Sequence, residues 1–396
     1  LTDISTLLKA EVQAFIRAHE KDDPAQLVLA GHKFPEIPIK EVAAQIQARQ
    51  KAKQKFPEWY ETSGIVFPPS LSVEQASSEI TARYKATLVS GSHLLDLTGG
   101  MGIDTYYLSQ SFQKTDYVEQ QSALFELVRH NFKVLANTSI RPHHANAEDF
   151  LAQLNHTVDC IYLDPARRDD QKRKVFRLED CTPNVIELQS RLLEESKQVL
   201  IKTAPLLDIQ AALRSLKHVK KIIVIAVNQD CKEVLYLLDK RHDDEPELET
   251  VYFFGDALQT FSFSKSQEEA AKVYYAEPLN YIYEPNTAIL KAGAFKVIAE
   301  AFQLKKLHPN SQLYTSTILN ADFPGRIFQM KTICKYNKKA LKAVLPSLKA
   351  NLSTRNFPES VAQIRKKTGL KEGGNTYVFA TTDIQNNHIL IITEKV

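Results

Sequence analysis

The chain has 396 residues, too many for one core of ordinary size, so two to four domains are expected. It is 43% hydrophobic and 24% charged, with no apolar run approaching about 18 residues, which excludes a helical membrane span. The net charge of +3 is unevenly spread: Arg326 to Lys371 holds twelve Lys and Arg against Glu359 alone, so this stretch carries +11 and the rest −8. A basic module on a mildly acidic body predicts a polyanionic partner.

Residues 1–90 read as a helical N-terminal region. Leu7, Leu8, Val12, Phe15 and Ile16 recur at helical spacing, as do Ile39, Val42, Ala43 and Ile46. Phe67-Pro68-Pro69 breaks the pattern. Ser72 and Gln75 then predict a capping box for a helix with Ala76, Ile80 and Tyr84 on one face, expected beside the glycine loop described below.

Residues 91–272 alternate between strands and helices. Strand-like runs are Leu94–Leu97, Tyr117–Val118, Cys160–Leu163, Val199–Ile201 and Ile222–Val227, with helical patterns around 106–112, 123–135, 148–154, 183–193 and 207–216. This rhythm predicts an α/β fold with a parallel sheet covered on both faces. Val234–Leu238 and Thr250–Phe254 read as a hairpin that adds an antiparallel edge strand. Residues 273–325 form a small connecting subdomain, with a loop at 281–286 and a helix over Ala288–Phe302 despite Gly293. Residues 326–396 form the basic module, ending in strands Thr376–Ala380 and Ile389–Thr393.

His93 to Asp104 carries the first functional signal. Its strand, its turn of Thr98, Gly99, Gly100, Met101 and Gly102, and the helix opening at Ile103 make a crevice at the carboxyl end of a strand. A dinucleotide would want G-x-G-x-x-G, and the spacing here is G-G-x-G. Asp96 would repel a pyrophosphate and favours a cation, such as the ammonium of a methionyl group. S-adenosylmethionine carries an ammonium and a sulfonium and no phosphate. Glycines let the backbone approach such a ligand. Glu119 ends the next strand, where a carboxylate can accept both ribose hydroxyls. A turn-stabilising Asp96 and a solvated Glu119 are the competing readings. Asn146-Ala147-Glu148-Asp149 opens the helix after the third strand and would face the adenine, although Asn146 or Asp149 equally suits a helix cap.

Leu94–Gly102, Glu119 and Asp164-Pro165-Ala166-Arg167 resemble the first, second and fourth motifs of class I S-adenosylmethionine-dependent methyltransferases, in order, over residues 75–255. The whole chain also resembles bacterial methyltransferase-like proteins with a helical N-terminal region and a C-terminal THUMP-like domain. Gln75-Ala76-Ser77-Ser78-Glu79, Arg83-Tyr84-Lys85-Ala86 and Asp164–Arg168 are similar to that group's signatures. The resemblance implies a Rossmann-like sheet and S-adenosylmethionine as cofactor. It would be held by Asp96, Thr98, Gly99, Gly100, Gly102, Asp104, Glu119, Asn146, Ala147 and Asp164. It also implies an RNA substrate, because THUMP-type domains bind RNA.

Amino-methylating enzymes often show D/N-P-P-Y/F/W at the fourth motif, where the acid and a backbone carbonyl accept from the target amine and the aromatic stacks on a flipped base. Asp164 and Pro165 are kept here, and Ala166 and Arg167 take the other places. Asp164, Pro165 and Arg167 are the candidate catalytic residues, with Asp164 the base if one is needed. Arg167, Arg168, Lys172, Arg173, Lys174 and Arg177 against Asp169 and Asp170 leave the following loop at +4, suited to phosphates. Lys202 ends the next strand at the same rim and would contact substrate or cap a helix. Lys338, Lys339, Arg365, Lys366 and Lys367, near Tyr336, Phe357 and Tyr377, are the expected RNA contacts of the basic module.

No metal is expected: His143 and His144 would point to opposite faces of a strand. Cys160, Cys181, Cys231 and Cys334 form no C-x-x-C pair, which fits a reducing cytoplasm, and Cys181 reads as a packed thiol. The reading is a cytoplasmic methyltransferase acting on structured RNA, ribosomal or transfer. Its rivals are an inactive RNA-binding protein of the same fold and a methyltransferase for a protein or small molecule.

Overall fold

The computed structural model describes residues 4–167, 177–255 and 257–396. The chain forms two compact units. The first comprises Leu1–Thr203, Gln210–His218 and Tyr236–Asp243; the second comprises Ala204–Ile209, Val219–Leu235 and Asp244–Val396. No helix among the described residues is long and apolar enough to cross a membrane.

The first unit opens with helices over Ile4–Leu7, Ala10–Ala18, Pro24–Leu29, Ile39–Lys55, Pro57–Glu61, Ser70–Gln75 and Glu79–Lys85. Val12, Ile16, Val42 and Ile46 turn inward, as their spacing predicts. Their core is continuous with Trp59, Met101, Ile103 and Tyr117, so the helical region packs against the glycine loop's own support. The expected capping box at Ser72 and Gln75 is not formed. Pro69 already starts a helix that contains Ser72 and Gln75. The chain then turns at Ala76, and Ser78 caps Glu79–Lys85 by accepting from Thr81 N.

Strands β1 (Gly91–Asp96), β2 (Phe112–Glu119), β3 (Ile140–His144) and β4 (Val158–Leu163) follow, then a small ribbon of β5 (Ala166–Arg167) and β6 (Cys181–Thr182), then β7 (Ser196–Thr203). The larger strands run parallel in the order β7-β4-β1-β2-β3. Leu94, Leu95, Ile161, Tyr162 and Leu200 are buried in unbroken runs, as strands covered on both faces require. β3 has no such run and tolerates Pro142, which suits an edge. The registers Asp96↔Tyr117, Asp96↔Tyr162 and Leu163↔Ile201 align the carboxyl ends of four strands along one rim.

In the second unit come β8 (Val219–Val227), β9 (Asp230–Asp239, which ends in the first unit), β10 (Glu247–Phe254) and β11 (Ala257–Phe263). The expected hairpin between 234–238 and 250–254 is not formed. Asn228 and Gln229 both take positive φ, a two-residue turn that joins β8 to β9 instead. β10 pairs in parallel with β8, and its antiparallel partner is β11. Gln229 gives no sequence sign of that turn.

A second sheet is built from β12 (Tyr281–Pro285), β13 (Lys305–Lys306), β14 (Tyr314–Ser316), β15 (Gly325–Lys335), β16 (Asn351–Arg355), β17 (Thr376–Thr382) and β18 (His388–Lys395), in the order β13-β14-β12-β15-β18-β17-β16. The stretch 281–286 is therefore mostly strand, not loop. The helix expected over Ala288–Phe302 is two helices, Thr287–Ala292 and Val297–Ala301, because Gly293 closes the first in a left-handed conformation (φ +80°). Alternation along β17 sends Val378 to one apolar cluster, with Leu341 and Ile364, and Phe379 to another, with Ile282 and Phe328. Glu284 on β12 is buried and binds both Arg326 (Nε, 2.6 Å) and Arg355 (2.6 Å), which ties β12 to β15 and β16. Replacing it strands two arginines that keep partial solvent contact. Glu284→Ala is therefore expected to cost about 3 kcal/mol, the low end for a broken buried pair, read as a lower urea midpoint for the second unit.

Candidate functional site

The glycine loop is dictated from beneath. A Cβ at Gly99 would overlap the Tyr117 ring, whose hydroxyl donates to Gly100 O at 2.7 Å. A Cβ at Gly102 would come within 2.8 Å of Phe132 and Val128, and Gly102 also has φ +80°. Gly100 differs. Its φ is +53°, and a Cβ there would meet only Thr98 O, at 3.7 Å. Two glycines thus serve the packing of the loop, and Gly100 leaves its upper side open.

Asp96 is buried. Its Oδ1 accepts from Thr98 N (2.9 Å) and its Oδ2 from Thr105 Oγ1 (2.5 Å). It clamps the loop to the following helix and would act on a ligand through that loop. Burial pushes its pKa up to about 7, against the opposing hydrogen bonds from Thr105 and Thr98. Glu119 is nearly buried, and accepts from Gly100 N (3.0 Å) and Gln121 N (2.7 Å). Asn146 caps the helix Ala147–Gln153, accepting from Asp149 N and donating to the Asp149 carboxylate, both at 2.7 Å. The cap reading is the one the side chain adopts, which leaves the buried Ala147 and the backbone to form that corner of the rim.

Asp104 sits one residue into the next helix and is the centre of a buried polar network. Its Oδ2 accepts from Ser77 Oγ and from Tyr162 OH, each at 2.7 Å. Its Oδ1 lies 3.1 Å from Lys85 Nζ, and Lys85, fully buried, also donates to Ser77 Oγ at 2.9 Å. Burial opposes ionisation, but Lys85 and Lys202 outweigh it and hold the Asp104 carboxyl below its ordinary range. Lys202, 7% exposed at the end of β7, pairs with the half-buried carboxylate of Asp164. Asp164 N in turn donates to Thr98 Oγ1 at 2.6 Å. The rim therefore joins Thr98, Asp104, Asp164 and Lys202 in one network.

Sequence reasoning missed Ser77, Lys85 and Tyr162 as members of this network. Ser77 and Lys85 lie in the two N-terminal signatures, but their chemistry depends on Asp104, which only the fold brings near. Pro165 is buried and Ala166 exposed, and Ala166 and Arg167 pair with Thr182 and Cys181 through their backbones. Arg168, Lys172 and Arg173 lie outside the described residues. Cys181 is buried, with Sγ 3.7 Å from Arg177 O. His143 bonds Asp116 (2.9 Å), while His144 bonds Gln120 O (3.1 Å) and stacks on Phe125. No group of three or more metal-ligating side chains able to hold an ion occurs among the described residues.

In the second unit, Lys338 and Lys339 open a helix (Lys338–Val344) capped by Asn337, while Arg365, Lys366 and Lys367 close another (Val361–Thr368). The structure brings these ends together, since a Cβ at Gly369 would lie 3.6 Å from Lys338 Cε. Lys367 pairs with Glu359 (2.8 Å) and Arg365 loosely with Glu372 (3.7 Å). Lys338, Lys339 and Lys366 have no acidic partner among the described residues.

Residues 281–324 match a ferredoxin-like domain family and residues 325–395 a THUMP domain-like family. The solved structure of a candidate methyltransferase from Porphyromonas gingivalis W83 is 30% identical, covers 100% of both chains and superposes with a TM-score of 0.88. A candidate methyltransferase from Streptococcus mutans, solved in complex with SAH, is 14% identical over 41% of this chain and 96% of its own, with a TM-score of 0.31. An rRNA methylase from Streptococcus thermophilus is 14% identical over 42% of this chain and 98% of its own, with a TM-score of 0.30. Superpositions that loose carry no argument about ligand or substrate. No curated protein matches the chain.

The state of Asp96 makes a pH prediction. Its folded pKa is raised from 3.8 to about 7, so across that window the folded protein keeps a proton that the unfolded chain releases. This group therefore subtracts stability as pH rises through the window. Asp96→Asn, which mimics the protonated acid, is expected to gain stability relative to the parent from the acidic to the neutral end. Thermal melts of both proteins at the two ends would show the difference.

Proposed function

The chain belongs to the methyltransferase-like proteins that carry a C-terminal THUMP-like domain, and from that we propose that it moves the methyl group of S-adenosylmethionine to a nucleotide of structured RNA, ribosomal or transfer. The observation that carries the reading is the hydrogen bond from Asp164 N to Thr98 Oγ1. It fastens the loop suited to the donor to the residue suited to the acceptor, with nothing longer than one side chain between them.

The residues present fit the donor. Gly100 offers open backbone, and Glu119 fixes the Gly100 amide from the next strand end. Asp164 supplies a half-exposed carboxylate on a rim where a cationic ligand is favoured. When bound, the donor supplies a methyl group on a sulfonium, already activated for displacement. The chain's own work is then mainly placement. Lys202 holds one oxygen of Asp164, and Thr98 holds its backbone, so the carboxylate orients the nucleophile and accepts its proton where one must leave. In the sequence motif Arg167 takes the place of the stacking aromatic, and an arginine suits a phosphate or a base face.

The basic module supports RNA as the acceptor. Lys338, Lys339 and Lys366 carry charge that no acid neutralises among the described residues, which suits phosphate. Replacing any one with Ala is expected to flatten the dependence of log affinity on log salt by about 0.7 to 0.9 for each phosphate that is no longer neutralised. Fluorescence anisotropy across a salt series reads that slope.

Calorimetry with S-adenosylmethionine tests the donor half. Glu119→Ala is expected to weaken binding about tenfold, a change of roughly 1.4 kcal/mol. Asp164→Ala is expected to lose transfer of tritiated methyl into RNA from cells lacking the gene even at a donor concentration that saturates the variant. Failure of the parent to bind the donor would overturn the enzyme reading. Binding without transfer would favour an RNA-binding protein of methyltransferase fold.

A further inference from the structure

The second unit holds a cavity of about 520 Å³ lined by Thr354, Asn356, Phe357, Pro358, Thr382 and His388. It lies where the carboxyl ends of the parallel neighbours β16 and β17 meet the amino end of β18, with Arg355 opposite Thr381 and Thr382 opposite His388. Open α/β sheets bind ligands at such strand ends, because the chains part there and leave a crevice. Asn356 makes the corner. It leaves β16 with a positive φ of 51°, its carbonyl accepts from Thr382 Oγ1 at 2.6 Å, and its amide meets His308 Nδ1 at 2.9 Å.

The lining is chemically divided. One side is aromatic. The Phe357 ring is fixed edge-on by Tyr336 (5.0 Å, 88°) and rests against His388 (5.0 Å, 54°), whose side chain is exposed. The other side is polar, with the Thr354 and Thr382 hydroxyls and the Asn356 amide. The Thr382 hydroxyl and the Asn356 amide nitrogen are already bonded, to Asn356 O and His308, but a purely apolar ligand would cover the Thr354 hydroxyl and the Asn356 amide oxygen without giving them a partner. A bare phosphate would make no use of two ring faces. A flat heterocycle with donors and acceptors on its edge uses both sides, and the volume lies within the range of small-ligand pockets, roughly 300 to 1,000 Å³.

We infer that this cavity takes one unpaired nucleobase of an RNA strand, its face stacked on His388 against the Phe357 wall and its edge read by Thr354 and Asn356. The inference rests on the reading of RNA as the substrate. It adds a base-contacting site to a module whose lysines would otherwise hold only phosphates, and unpaired bases are what side chains can stack on and read in RNA.

The test uses the full chain and short single-stranded RNAs carrying 4-thiouridine, cross-linked by light and mapped by peptide mass spectrometry. Cross-links are expected within residues 354–358 or 382–388. Because Phe357 also packs on Tyr336, the binding variants are His388→Ala and Thr354→Val. His388→Ala is expected to weaken single-strand binding about tenfold, in line with the loss of one stacked base, and to leave binding of a fully paired duplex unchanged. Unchanged single-strand affinity in both variants, or cross-links confined to the helices Lys338–Val344 and Val361–Thr368, would overturn the base site while leaving RNA binding intact. A parent that binds neither RNA form overturns the RNA reading itself. A parent that binds uridine or adenosine monophosphate here but no RNA assigns the cavity to a free nucleotide and overturns the RNA source.

Discussion

The candidate site depends on one buried carboxylate. Asp104 is held by Lys85, Ser77 and Tyr162, within electrostatic reach of Lys202, and Lys202 holds Asp164. Burying an ammonium and a carboxylate costs several kcal/mol for each, and only close pairing with further hydrogen bonds returns it. The network meets that condition, since Asp104 takes two hydroxyl donors besides an ammonium. Removing Asp104 would leave the buried Lys85 ammonium without its carboxylate. The groups are therefore locked to one another, and so are the elements that carry them: an N-terminal helix, the helix after the glycine loop, and the ends of β4 and β7. The N-terminal helical region is in this sense part of the site and not an appendage to it.

Much of the first unit was legible because its strands bury both faces. Cys160–Leu163 is a continuous apolar run and Leu94–Leu97 is broken only by Asp96, and each lies in or overlaps a strand of the structure, as does the run Ile222–Val227 in the second unit. The third strand has no such run, with Pro142 and two histidines, and only the helix cap that follows betrays it. The capping box at Ser72 was a matching pattern in the wrong frame, because prolines three and four residues earlier had already started a helix. The hairpin failed for a subtler reason. A two-residue turn at Asn228-Gln229 needs two positive φ angles, and glutamine does not advertise one.

The glycine loop shows the same limit at closer range. Its three glycines look alike in the sequence, yet the fold gives two of them to the packing of Tyr117, Val128 and Phe132 and leaves one facing outward. Asp96 is similar. A carboxylate at a strand end suggested a partner for a cation, and the structure commits one of its oxygens to the loop and the other to Thr105 of the following helix. Lys202 stood open between substrate and cap, and the fold pairs it with Asp164. In the second unit the charge surplus was visible in the sequence, but not that Asn356, Phe357, Thr382 and His388 would line one cavity.

Whether these groups serve methyl transfer to RNA is tested most directly by mass spectrometry of total RNA nucleosides. The cells compared are those with and without the gene, the latter also complemented by the parent chain or by Asp164→Ala. One methylated nucleoside of ribosomal or transfer RNA is expected to vanish without the gene, to return with the parent and to stay absent with Asp164→Ala. Identical nucleoside profiles with and without the gene would contradict methyl transfer to RNA.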